Sequence, residues 1–154
     1  MPGQLARHPG QAAALELEAG EAAFCIARLM VHETSGARAL HRTVLPMERI
    51  TGTPLAKTPT MTPAKAHVAP TEAQGPVKWR ESVTARMPHL DETSALQLDQ
   101  PKPLLITQRI TAATTGQPLM METTATPADA TRFTYTLAPG PALTAATSAR
   151  RQNL

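Results

Sequence analysis

Residues 78–137 switch hydrophobic period from strand-like to helical and back, and this stretch constrains the fold more than any other. Residues 79–86 alternate: Trp79, Val83 and Ala85 point one way, and Arg80, Ser82, Thr84 and Arg86 the other, as in a half-buried strand. After Met87 and Pro88 a short helix is expected, with Asp91 as N-cap. Leu90 and Ala95 are placed for a hydrophobic staple, and Leu96 and Leu98 face the core. Pro101 and Pro103 end that helix. Residues 104–110 then read as a strand, 114–117 as a turn, 119–126 as the returning strand and, after a turn at 127–129, 132–137 as a last short strand. Strand, helix and a three-stranded meander imply an α+β domain, an antiparallel sheet carrying helices on one face.

The first half has a similar plan. Residues 9–18 suit a short helix with Pro9 in its first turn, Ala12 and Leu15 on one side and Gly20 as its stop. Residues 22–31 form a strand whose faces differ: Phe24, Ile26, Arg28 and Met30 lie on one, Cys25, Ala27, Leu29 and Val31 on the other. Residues 33–36 connect it to a returning strand at 38–45, closed by Pro46. Residues 49–75 hold Pro54, Pro59, Pro63 and Pro70 among threonines and read as loop, except for a short helix with Thr62 as N-cap and Pro63 as its first residue. Residues 22–46 and 103–127 share the order strand, glycine turn, strand, proline, as a weak internal duplication would. Residues 9–137 are expected to be one domain, with disordered ends at 1–8 and 138–154.

Composition excludes several classes. Forty-two per cent apolar residues suffice for one core, and fifteen prolines favour long connections or loose ends. A net charge of +3, with Lys and Arg scattered, does not argue for nucleic-acid binding. Cys25 stands alone, so no disulfide framework or thiolate metal site is available, and between Phe24 and Ile26 it is expected as a small buried core residue. His8, His32, His41, His67 and His89 have no second ligand at helical or strand spacing, so neither metal nor cofactor is expected. There is no phosphate loop, HExxH helix, GxSxG elbow or helix-turn-helix. No apolar run reaches membrane-spanning length and no signal peptide is recognisable, so a cytoplasmic location is expected.

Two groups of residues resemble a known family. Gly20-Glu21, residues 26–30 and residues 40–46 resemble the first half of the UTRA domain, the effector-binding domain of GntR-type transcription regulators of the HutC subfamily. Residues 84–88, 91–96, 103–107 and 115–119 follow in the order of its second half, nearest to the branch that regulates phosphonate utilisation. The resemblance implies a chorismate-lyase-like fold, a small-molecule cleft between the sheet and a covering segment, and a homodimer. It further implies that DNA is gripped by a winged helix-turn-helix domain, absent from these residues, whose position responds to the effector.

Carried over residue by residue, the resemblance implies a ligand site of Arg28, Met30, His41, Thr60 or Thr62, and Glu122. Arg28 matches the first arginine of the family's Arg-Leu-Arg strand and Met30 replaces the second. His41 stands where a glutamate is usual, Thr60 or Thr62 where a Ser or Thr opens a helix, and Glu122 where a small polar residue is usual. Each residue also has a plainer role. A lone arginine on an apolar sheet face is costly unless paired, so Arg28 either bridges to Glu21 or Glu122 or clamps an anion. Thr62 is a helix cap or an anion contact, and His41 a strand residue or a pH-sensitive ligand. The face of Glu122 depends on strand register, while Arg80 and Arg86 are expected to be solvated.

The leading expectation is a sensor of a small anionic metabolite, a phosphonate or phosphate ester, that signals through a dimer. The alternative is a chorismate-lyase-like enzyme, which needs an arginine near position 28 and a carboxylate on the last hairpin. Counted from Pro118, Glu122 falls one residue short of that carboxylate's place. A dimerisation module that has lost its ligand is a third reading.

Overall fold

A computed structural model describes residues 9–57 and 75–138. Five strands form one antiparallel sheet: β1 (Ala23–Val31), β2 (Arg38–Pro46), β3 (Val77–Arg86), β4 (Leu104–Ala113) and β5 (Pro118–Pro127). Their order is β1-β2-β5-β4-β3. Short helices α1 (Pro9–Ala14), α2 (Met47–Ile50), α3 (Pro54–Lys57) and α4 (Leu90–Leu96) surround it, and a 3₁₀ turn (Ala128–Ala130) follows β5. The fold is therefore α+β, as expected. The hairpins β1–β2 and β4–β5 lie side by side through their returning strands, with Arg42 opposite Thr123 at the centre of the β2–β5 pair.

The turns set the register. Gly36 (φ +68°) and Gly116 (φ +96°) take up the left-handed conformation that the two hairpin ends require. In the first, the His32 N–H donates to the Ala37 carbonyl at 2.8 Å. Alternation then sorts each strand's residues onto two faces. On one face Ala23, Val44, Ile110 and Met121 pack under Leu15 from the α1 segment, and Leu104, Ile106 and Ala125 pack under Leu96 of α4. On the other, Leu45 and Met120 pack with Ile50 of α2, flanked by Phe24 and Ile26.

Several elements differ from expectation. The first helix ends at Ala14 rather than running to residue 18. The Glu16 N–H (φ +51°) bonds the Ala13 carbonyl and the Leu17 N–H the Ala12 carbonyl, closing the helix early. Arg49 holds this end, its Nη2 donating to the Glu16 carbonyl at 3.0 Å and its Nη1 to the carbonyls of Leu15 and Pro118. The N-cap of α4 is His89, not Asp91. Leu90 is 89% exposed, so no staple forms. Instead Glu92 accepts the His89 N–H at 2.9 Å and both Nη atoms of Arg86 at 2.6 Å, so Arg86 is an anchor rather than a solvated residue. That pairing, led by the Arg86 hydrogen bond, holds the Glu92 carboxyl below its usual range.

Residues 132–137 do not form a strand. A meander would need the place beside β5, and β2 already occupies it. The chain turns away through Ala128, whose N–H bonds the Pro103 carbonyl, leaving Tyr135 and Leu137 exposed. β3 is an edge strand exposed on both faces, with Trp79 59% exposed rather than half-buried. Cys25 is exposed as well, because the described helices leave its part of β1 uncovered. Within 49–75, α3 replaces part of the expected loop, and the helix expected at Thr62 lies outside the described residues.

Candidate functional site

Residues directly opposite each other in an antiparallel pair share a face. The register therefore builds three rows across the side of the sheet that carries α2. Phe24 lies opposite Leu45, Met120 opposite Thr111, and Thr111 opposite Trp79, an end that is apolar over its first strands and covered by Ile50. The next row runs Ile26, Thr43, Glu122, Arg109 and Glu81. The third runs Arg28, His41, Thr124, Thr107 and Val83. The middle of this face is thus polar and ionisable, where the opposite face at the same level is packed with Val44, Met121 and Ile110.

The charges are ordered by short contacts. His41 Nε2 lies 3.3 Å from Glu122 Oε1, and the two residues are only 7% and 5% exposed. Arg109 donates from Nε and Nη2 to Glu81 Oε2 at 2.9 and 2.7 Å, and its guanidinium carbon sits 5.4 Å from the centre of the Trp79 ring. Arg28 is half-buried beside His41. Among the described residues three buried polar atoms have no hydrogen-bond partner: His41 Nδ1, Thr43 Oγ1 and Thr111 Oγ1. All three lie on this face. Each is a polar group buried at a level where the opposite face is packed with apolar side chains.

A hollow of about 630 Å³ opens at the hairpin end of the same sheet. Met30, Ala39 and Thr126 line it, each two residues along its strand from Arg28, His41 and Thr124. Arg38, Lys102 and Asp129 stand at its rim, with Leu96 and Leu98 behind. Lys102 Nζ bonds Asp129 Oδ2 at 2.7 Å and Arg38 Nη1 donates to the Ala95 carbonyl at 3.2 Å. Leu96 packs on the opposite face with Leu104 and Ile106, so the hollow lies at the end of the sheet and is shared by both faces.

Of the residues singled out from sequence, Arg28, His41 and Glu122 come together on adjacent rows of one face. Met30 lies on that face and lines the hollow. Thr60 and Thr62 lie outside the described residues. Thr43, Arg109 and Thr111 are also part of the polar face and were not anticipated. Their signal was threonine and arginine at even spacing on otherwise apolar strands, which β propensity masks. No cluster of three His, Cys, Asp or Glu side chains suited to a metal occurs among the described residues, and none of their helices is long and apolar enough to cross a membrane.

The UTRA domain family matches residues 4–132. The chain belongs to that family. No curated protein matches its sequence. Among solved structures, the effector domain of PhnF from Mycobacterium smegmatis is 18% identical with a TM-score of 0.67, covering 90% of this chain and 82% of that one. A GntR-family transcriptional regulator from Bacillus cereus is 16% identical with a TM-score of 0.68, covering 82% and 87%. YydK of Bacillus subtilis, described as a possible transcriptional regulator, is 14% identical with a TM-score of 0.64 over 84% of this chain. The chain spans only 56% of the length of YydK. These likenesses support the fold. UTRA membership makes the chain an effector-binding domain of the GntR-family transcription regulators, and the enzymatic alternative falls away with it.

Proposed function

We propose that this UTRA domain binds a small anionic metabolite, a phosphonate or phosphate ester, on the polar face, and signals by changing the arrangement of a homodimer. Arg28 is the principal anion contact, with its planar set of donors suited to a phosphonyl or carboxyl group. His41, positioned by Glu122, and Met30, two residues along β1 from Arg28 on the same face, are further contacts. Thr60 or Thr62 is a further proposed ligand contact, on the family resemblance alone. A winged helix-turn-helix domain of the same regulator, outside this chain, grips DNA, and the whole acts in the cytoplasm.

The observation that carries this reading is the buried His41–Glu122 pair on the same face as Arg28, with His41 directly opposite it. The test is calorimetric titration of methylphosphonate, phosphate monoesters and simple carboxylates into wild type and Arg28→Ala. Binding that Arg28→Ala weakens at least tenfold supports the reading. Equal affinity in the two proteins removes Arg28 from the site.

A further inference from the structure

The hollow at the end of the sheet has a charged wall that belongs to the α4 side rather than to the polar face. Arg38 lies opposite Val31 and two residues along β2 from Leu40, which packs with Leu96 and Leu104. Arg28 and His41 are opposite each other on the other side of the sheet. Three walls enclose the hollow, and each is closed by its own hydrogen bonds. In the β1–β2 turn the His32 N–H donates to the Ala37 carbonyl and the Gly36 N–H to the His32 carbonyl, both at 2.8 Å. At the end of α4 the Gln97 N–H (φ +53°) donates to the Ser94 carbonyl at 3.2 Å and the Leu98 N–H to the Thr93 carbonyl at 3.0 Å. After β5 the Ala128 N–H donates to the Pro103 carbonyl at 3.0 Å and Thr131 Oγ1 to the Pro127 carbonyl at 2.8 Å. The space is therefore preformed, and its volume of about 630 Å³ falls within the roughly 300–1,000 Å³ usual for small-molecule sites.

We propose that this hollow is a second ligand site, for an amphipathic carboxylate whose apolar body lies against Val31, Leu96 and Leu98 and whose head meets the Arg38 guanidinium. The lining is apolar, and Val31 is 49% exposed within it, so a body without further polar groups gains most by entering. The charge at the rim selects the head. Lys102 is committed to Asp129 at 2.7 Å. Arg38 meets no carboxylate among the described residues: its one hydrogen bond there runs from Nη1 to the Ala95 carbonyl at 3.2 Å. Nε and Nη2 of the same guanidinium remain as donors at the wall of the hollow. One unmatched cation with a planar pair of donors fits a single carboxylate. The site is separate from the one assigned to Arg28, with a different class of ligand on the other side of the sheet, and it stands whether or not the polar face binds a phosphonate. The two share β2, where Arg38 and His41 are three residues apart on opposite faces.

The test is calorimetric titration of octanoate into the whole chain, with octanol as the body without the charge and acetate as the charge without the body. Octanoate is expected to bind saturably, and octanol and acetate each about tenfold more weakly or worse. Arg38→Gln keeps a donor for the Ala95 carbonyl and removes the charge, and is expected to weaken octanoate about tenfold. Val31→Glu, a change at a half-exposed position, sets a like charge in the hollow and is expected to weaken octanoate by at least as much. Amide chemical shifts locate the ligand: octanoate should move residues 36–39 and 96–98. A wild type that does not bind octanoate, octanol or acetate binding as tightly as octanoate, or equal octanoate affinity in wild type and both variants overturns the proposal. So do shifts confined to residues 26–28 and 41–43, which would put octanoate on the polar face.

Discussion

His41 on β2 and Glu122 on β5 are not directly opposite each other, yet their side chains meet at 3.3 Å with both residues buried. They are diagonal neighbours, because Glu122 faces Thr43 and His41 faces Thr124. The diagonal lets one carboxylate serve a histidine buried in the next row of the same face.

That geometry predicts a strongly non-additive pair. Glu122→Leu alone leaves His41 buried without its partner and is expected to destabilise by about 3 kcal/mol. His41→Leu combined with Glu122→Leu is expected to recover most of that loss, because two well-packed apolar side chains replace two desolvated polar ones. Urea unfolding midpoints of the single and double variants measure it.

Thr43→Val tests whether the unmet hydroxyl serves binding. Thr43 is buried, and its Oγ1 has no hydrogen-bond partner among the described residues. A methyl in its place removes the unmet group and is expected to stabilise the free domain by about 1 kcal/mol while weakening anion affinity. Thermal unfolding and calorimetric titration of the same variant report the two effects separately.

The attachment of α4 should depend on pH. Glu92 is held below its usual value of 4.5, first by the hydrogen bond to Arg86 and then by the His89 N–H, against the opposing effect of burial. A carboxyl lowered in the folded state contributes stability above its unfolded value and loses it as pH falls through the folded value. Glu92→Gln is therefore expected to cost about 1 kcal/mol at pH 7, a modest figure because Arg86 is partly solvated, and nearly nothing at pH 2. Unfolding curves for both proteins at the two pH values check the sign.

Arg49 links the end of α1 to the start of β5 by donating to carbonyls on both. Arg49→Met keeps the stem and removes the donors, with an expected loss of about 2 kcal/mol. Hydrogen exchange should quicken in residues 11–17 before the rest of the sheet.

Local patterns made β1, β2, β4 and β5 legible, since alternation and the glycines at 36 and 116 define each hairpin without reference to the other. The placing of one hairpin against the other was not local. Whether Glu122 shares a face with Arg28 depends on the β2–β5 register, which no turn specifies. The same gap explains the errors at Trp79 and Cys25. Both lie on strands whose pattern suits a half-buried place, but a residue's exposure depends on whether its strand is at the edge. Residues 132–137 had a strand's alternation, but the place beside β5 that a meander needs is held by β2. Asp91 was a good cap by composition, and the bidentate reach of Glu92 to Arg86 moved the helix start forward to His89.

The pairing of β2 with β5 has a kinetic meaning. Each hairpin closes over a short turn and can form early, but Leu40 to Val44 meet Met121 to Ala125 only after the longest loop in the sheet has been closed. Arg28 and His41 belong to one hairpin, Glu122 and Arg109 to the other. Neither half holds the polar face by itself, so a newly made chain should gain it in the same late event that joins the two hairpins.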